Sequence, residues 1–367
     1  MSETVLEPPA GGWRTAARAG DRGPMARAVI AALAVALAGT ALFSLATGAL
    51  EIPVLSALGA LAEGRETLTA TELRDRIVLT EVRLPRVLLG ALVGAALAVS
   101  GAVMQGIFRN PLADPGIVGV SAGAGLAAAG LIVLGGGVLA PAVALAGIYA
   151  LPVAAFFGGL VTTFALYRIG TRGGMTSIPT MLLAGIALGA LAGALTGLLV
   201  YVADDRQLRD LTFWGLGSLA GANWDKILAA GPVIALVLAA VPFLAGGLNA
   251  LVLGEAAASH IGIRVQRLKT IAIVAVAAAT GAAVAVSGGI GFVGIVVPHL
   301  LRLTIGPDHR YLLPACALLG ASLLILADTV SRTIVAPAEL PIGIVTALAG
   351  APFFLWILLR RKGLTSL

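Results

Sequence analysis

Apolar stretches long enough to cross a lipid bilayer recur along this chain almost from end to end, and the charges gather in the short segments between them. A bilayer core takes about 20 apolar residues per helix. Hydrophobic residues make up 59% of the sequence and charged residues 11%, against about 45–50% and about 25% in a soluble domain. So much apolar surface has no place in a water-soluble core. The chain is therefore expected to be an all-α membrane protein, because only helices or closed barrels satisfy their backbone groups in lipid.

Ten spans are expected, at residues 26–50, 87–108, 116–134, 141–167, 179–202, 227–245, 268–287, 291–303, 311–330 and 341–359. The eighth is too short to cross as an ordinary helix unless its ends lie buried in protein. A further apolar piece, 211–222, carries Trp214 and several glycines and reads as a short interfacial or re-entrant helix. Ten spans leave both termini on one side. With the termini inside, the inner segments hold 15 of the 24 lysines and arginines but 6 of the 18 acids, so both ends are expected in the cytoplasm. This topology accounts for the basic balance, and no basic run points to nucleic acid. Residues 1–25 and 362–367 read as cytoplasmic tails around a membrane domain at 26–361. The tetrapeptide Ala98-Val99-Ser100-Gly101 returns as Ala285-Val286-Ser287-Gly288, five spans later. An odd spacing makes the halves antiparallel, so spans 2–5 and 7–10 are expected to form an inverted repeat.

No nucleotide-binding loop is present; the only lysines are Lys226, Lys269 and Lys362. A zinc-protease motif is also missing. Ionisable residues near the spans are few and sit at their ends: Asp114, His299, Asp328 and Glu339. Ion-coupled carriers place such groups within the membrane. A transporter built this way draws its energy from another subunit. Cys316, alone in the chain, reads as a structural thiol. His260, His299 and His309 all fall near the cytoplasmic side and are poor candidates for ligands along a path.

Two segments carry more information. Gly185, Gly189, Gly193 and Gly197 recur every four residues along the fifth span and form a groove on one helix face. Close packing within the subunit and a dimer interface or pathway wall are both open readings. Between the sixth and seventh spans, within 250–263, runs Gly254-Glu255-Ala256-Ala257-Ala258-Ser259-His260-Ile261-Gly262, a short helix closed by a glycine.

Longer motifs join these. Arg83-Leu84-Pro85-Arg86 leads into Val93 to Gly106, then Asn110-Pro111-Leu112-Ala113-Asp114-Pro115-Gly116. Further on stand Gly291-Phe292-Val293-Gly294 to His299, Asp328 to Arg332, Glu339-Leu340-Pro341-Ile342-Gly343 and Gly350-Ala351-Pro352-Phe353-Phe354. In this order, from Arg83 to Arg361, the chain resembles the FecCD family, the permeases of bacterial importers for cobalamin, haem and ferric siderophores. The resemblance implies a type II importer permease of the ATP-binding-cassette class in the bacterial inner membrane. It implies a homodimer with the pathway between subunits, two cytoplasmic ATPase subunits that bind ATP and magnesium, and a periplasmic binding protein. No cofactor is expected in this chain. It implies that Gly254–Gly262 seats on the ATPase and that Arg83, Arg86 and Arg332 meet acids on the binding protein. The inner gate would involve Asn110, Pro111 and Leu112, with Ile178 and Pro179 where relatives carry a Thr-Ser pair. The charge-poor path points to haem as cargo, with ferric siderophore and cobalamin as alternatives. An ion-coupled secondary carrier or an intramembrane enzyme would be rivals from other classes.

Overall fold

The computed structural model describes residues 22–48, 69–173 and 175–360; of the expected tails at 1–25 and 362–367, residues 1–21 and 362–367 lie outside them. The helices are α1 (Gly23–Ala46), α2 (Ala70–Phe108), α3 (Val120–Leu134), α4 (Ala140–Gly170), α5 (Ile178–Val202), α6 (Asp205–Leu216), α7 (Trp224–Leu251), α8 (Glu255–His260), α9 (Val265–Ser287), α10 (Val293–Ile305), α11 (His309–Thr333) and α12 (Ile342–Arg360). A two-stranded hairpin, β1 (Thr171–Arg172) and β2 (Met175–Thr176), joins α4 to α5. Among the described residues, seven helices are long and apolar enough to cross a membrane: α1, α2, α4, α5, α7, α9 and α11. The apolar helices α3, α10 and Ile342–Trp356 of α12 are shorter. Every expected span coincides with a helix.

Where the boundaries differ, polar capping explains it. The second helix starts 17 residues before the apolar run at Val87. Thr69 opens it with a capping box: its hydroxyl accepts from the Glu72 amide, and Glu72 Oε2 accepts from the Thr69 amide at 2.7 Å. That polar start joins the apolar part through a π turn at Val78–Arg83. The turn directly precedes Pro85, whose ring has no amide to donate, and so absorbs the mismatch. Likewise α6 begins at a capping box between Asp204 and Gln207 and stops at Gly217, earlier on both counts than the apolar piece 211–222.

The core surrounds the apolar part of α2, which is buried almost throughout. Its glycines let neighbours reach the backbone. A Cβ on Gly94 would stand 2.2 Å from the Gly320 carbonyl oxygen of α11, and one on Gly101 1.8 Å from that of Gly294 in α10. A second close contact joins α3 to α4, where a Cβ on Gly123 would meet the Gly158 oxygen at 2.3 Å. Both ends of α10 are buried, at Val293, Gly294 and Ile305, which is the condition a span of 13 residues must meet. The two tetrapeptide copies occupy unlike places. Ser100 and Gly101 lie inside α2, whereas Ser287 ends α9 and Gly288 turns the chain with φ 70°.

Candidate functional site

Four places carry the residues singled out in the sequence. At one end of the bundle the motif arginines are gathered with two carboxylates. Arg86 spends its guanidinium on both: Nε donates to Asp328 at 2.9 and 3.0 Å, Nη2 to Asp328 at 2.8 Å, and Nη1 and Nη2 to the two Glu339 oxygens at 2.9 Å. Planar, bidentate pairing of this kind is what distinguishes arginine from lysine. Arg332, one turn beyond Asp328, lies 3.6 Å from its carboxylate and donates to the Thr47 and Ser44 carbonyls. Arg83 donates to the carbonyls of Leu45 and Ala46. Those carbonyls belong to the last turn of α1, where four lack helical partners and the dipole favours a cation. All three arginines are turned inward with partners inside the chain. They are neither free rim charges nor lipid-facing anchors; Glu339, about a third exposed, is the member that meets the surface.

At the opposite end the chain breaks between α2 and α3. Arg109 takes a left-handed conformation, φ 49°, and ends α2. Asn110 then folds an Asx turn, its Oδ1 accepting from the Leu112 amide at 2.9 Å. Asp114 repeats the device on Gly116 at 2.7 Å, and Pro115 starts a single turn of tighter helix, Pro115–Val118, packed against α5. Burial pushes the Asp114 carboxyl up from the ordinary range, opposed by the Gly116 hydrogen bond. Asn110 and Leu112 are exposed and Pro111 half-buried. Ile178 and Pro179 form the first turn of α5, behind Ser177, whose hydroxyl caps the helix on Thr180. Pro suits this turn because its missing amide would lack a helical partner there.

The segment Gly254–Gly262 stands at the same end. Gly254 enters it at φ 104°, and Gly262, at φ 89°, closes it. The Ile263 amide returns to Ala258 and the Gly262 amide to Ser259, the paired bonds of a Schellman closure. Ala258 is fully buried against Leu251, Val265 and Leu268. Ala256, Ser259, His260 and Ile261 face outward, flanked by exposed Val252 and Leu253. Glu255 pairs with Lys269 Nζ at 2.8 Å. Of the three alanines in the segment, Ala256 is exposed, Ala257 half-buried and Ala258 packed inside the chain.

On α5, a Cβ added to Gly189, Gly193 or Gly197 would meet nothing within 4 Å. This face is open in the chain, with Gly185 half-buried one turn earlier. Among the described residues, nothing packs closely on those three glycines. Gly189 and Gly193 line a cavity of about 450 Å³ with Ser121 and Gly125 of α3 and Thr212 and Trp214 of α6. No charged side chain lines it.

The profile of the FecCD transport family matches residues 30–360. The chain is 47% identical to the hemin transport system permease protein of Yersinia pestis, over 83% of this chain and 90% of that protein. It is 45% identical to the cobalamin import system permease protein of Halobacterium salinarum, over 78% and 74%. Against the vitamin B12 import system permease protein of Klebsiella pneumoniae the figure is 44%, over 79% and 85%. Among solved structures, an inward-facing conformation of a metal-chelate type ABC transporter aligns with a TM-score of 0.75 at 33% identity, covering 91% of this chain and 99% of that one.

Proposed function

This chain belongs to the FecCD transport family and is the permease subunit of an ATP-binding-cassette importer of the iron chelate, haem and cobalamin class; from that premise we propose that its cargo is haem. The observation that carries this reading is the cavity between α3, α5 and α6, open, apolar and without a charged side chain. The apolar face of a flat macrocycle is matched by such a wall. Permeases of this family are non-catalytic and work with separate ATPase and substrate-binding proteins.

In our reading the chain crosses the inner membrane ten times with both termini in the cytoplasm, forms a homodimer along α5, and binds two ATPase subunits. The antiparallel halves would be α2–α5 and α9–α12. The ATPase seats on the outward face of α8, where Val252, Leu253 and Ile261 are exposed beside Ala256 and Ser259. Asn110 to Leu112, with Ile178 and Pro179, closes the inner end of the path. Arg83, Arg86 and Arg332 serve the periplasmic binding protein by exchanging internal partners for acids on that protein.

The test is import into proteoliposomes by the permease assembled with its ATPase and binding protein. Haemin, cyanocobalamin and a ferric hydroxamate are offered separately, with and without ATP. ATP-dependent accumulation of haemin alone is expected. Accumulation of cyanocobalamin in its place would transfer the cargo to the second class named by the relatives.

A further inference from the structure

Lys269 is buried to 1% exposure and joins three elements that the sequence keeps apart. Its Nζ donates to Glu255 Oε1 at 2.8 Å and to the Thr176 carbonyl at 3.3 Å. One turn earlier on α9, Gln266 Oε1 accepts from the Thr176 amide at 2.9 Å. The start of α9 thus holds residue 176 by both its amide and its carbonyl. Thr176 ends the hairpin and directly precedes the cap of α5. The hairpin is one unit, since Thr171 and Thr176 pair through the backbone register and through their hydroxyls at 3.0 Å. Glu255 is the first residue of α8.

Burying an ammonium costs several kcal/mol on its own, and an apolar side chain of similar volume fills such a site at no loss of packing. Stability alone gives little reason for lysine here. We propose that Lys269 is a positioning residue, which transmits a displacement of α8 to the hairpin and the first turn of α5. The inference rests on α8 being the seat of the ATPase. A shift of α8 moves Glu255, the Glu255 carboxylate draws on Lys269, and α9 passes the change to Thr176 through two hydrogen bonds. Tyr167 at the end of α4 is tied to the same helix, its hydroxyl 2.7 Å from that of Thr270.

The experiment is hydrogen exchange of the amides between residues 171 and 180 in the assembled importer. It compares the nucleotide-free complex with one trapped by ATP and vanadate. The wild-type complex is expected to show a difference in this segment on trapping. Lys269→Met should lose at least half of it while the ATPase stays bound and traps nucleotide, and Lys269→Arg should keep it. A full difference in Lys269→Met, or no difference in the wild type, overturns the inference. Should Lys269→Met fail to assemble, Gln266→Leu is read in the same way, because it leaves the Lys269–Glu255 pair in place; an unchanged difference there is equally fatal. A wild-type permease that does not bind the ATPase at all, or that binds it undiminished after Ile261→Glu on the outward face of α8, removes the seat itself and the inference with it.

Discussion

Arg86 and Asp328 are bonded through both carboxylate oxygens across 242 residues of sequence, and the pair is buried. It ties α2 to α11 at the end where α1 also terminates. Removing one partner of a buried pair costs about 3–5 kcal/mol, because the other is left charged in a poor solvent. Asp328→Ala is expected to destabilise the detergent-solubilised permease by that order. The Arg86→Met, Asp328→Leu double variant should recover much of the loss, although Glu339 then stands without its arginine. Thermal unfolding of the wild type, Asp328→Ala and the double variant checks this, and a double variant no more stable than Asp328→Ala would mean that the pair is not coupled.

In the proposed docking, Glu339 would compete with the binding protein's acid for Arg86. Glu339→Gln is expected to quicken association of the binding protein severalfold and to steepen its salt dependence, since charge at a rim acts chiefly on the encounter rate. Arg83→Ala should instead weaken the chain itself by about 1–2 kcal/mol, through the carbonyls at the end of α1. The measurement is stopped-flow association at several ionic strengths. Unchanged rates in Glu339→Gln would remove Arg86 from the docking surface.

The two faces of α8 should respond differently to added volume. Ala256→Trp is expected to abolish co-purification of the ATPase while the permease keeps its thermal stability. Ala258→Trp should lower that stability by about 1–3 kcal/mol, as overpacking does in a filled core. If both variants lose the ATPase with unaltered stability, the inward placement of Ala258 is refuted.

On α5, Gly189→Leu and Gly193→Leu are expected to leave the folded subunit intact, since an added Cβ meets nothing there. They should disrupt self-association or transport far more than Ala187→Leu on the opposite face. Native mass spectrometry and import assays decide it; equal effects at all three positions would take the glycines out of the interface.

Much of this was legible before any coordinates. The spans announced themselves by length and hydropathy, and the broken backbone at Asn110 and Asp114 by Asx-Pro steps. Polar helix starts were hidden, because hydropathy is blind to a capping box such as Thr69 with Glu72. Lys269 reads in the sequence as topological charge. Its signal was present: it is one of three lysines, and it lies inside an apolar span. What sequence cannot express is the direction of a side chain: the three arginines turn inward, onto carbonyls at the end of α1 and onto the Asp328 and Glu339 carboxylates.

The backbone contacts of Gly94 and Gly101 reach beyond packing. Helices separated by side chains can slide, because rotamers re-seat; helices touching carbonyl to α-carbon have no such play. These contacts join α2, α10 and α11 into one close-packed block, and α3 with α4, in contact at Gly123 and Gly158, into a second. Any rearrangement that spares these contacts is confined to the seam between the two blocks, and α9 lies along it, packed against α2 on one side and α4 on the other.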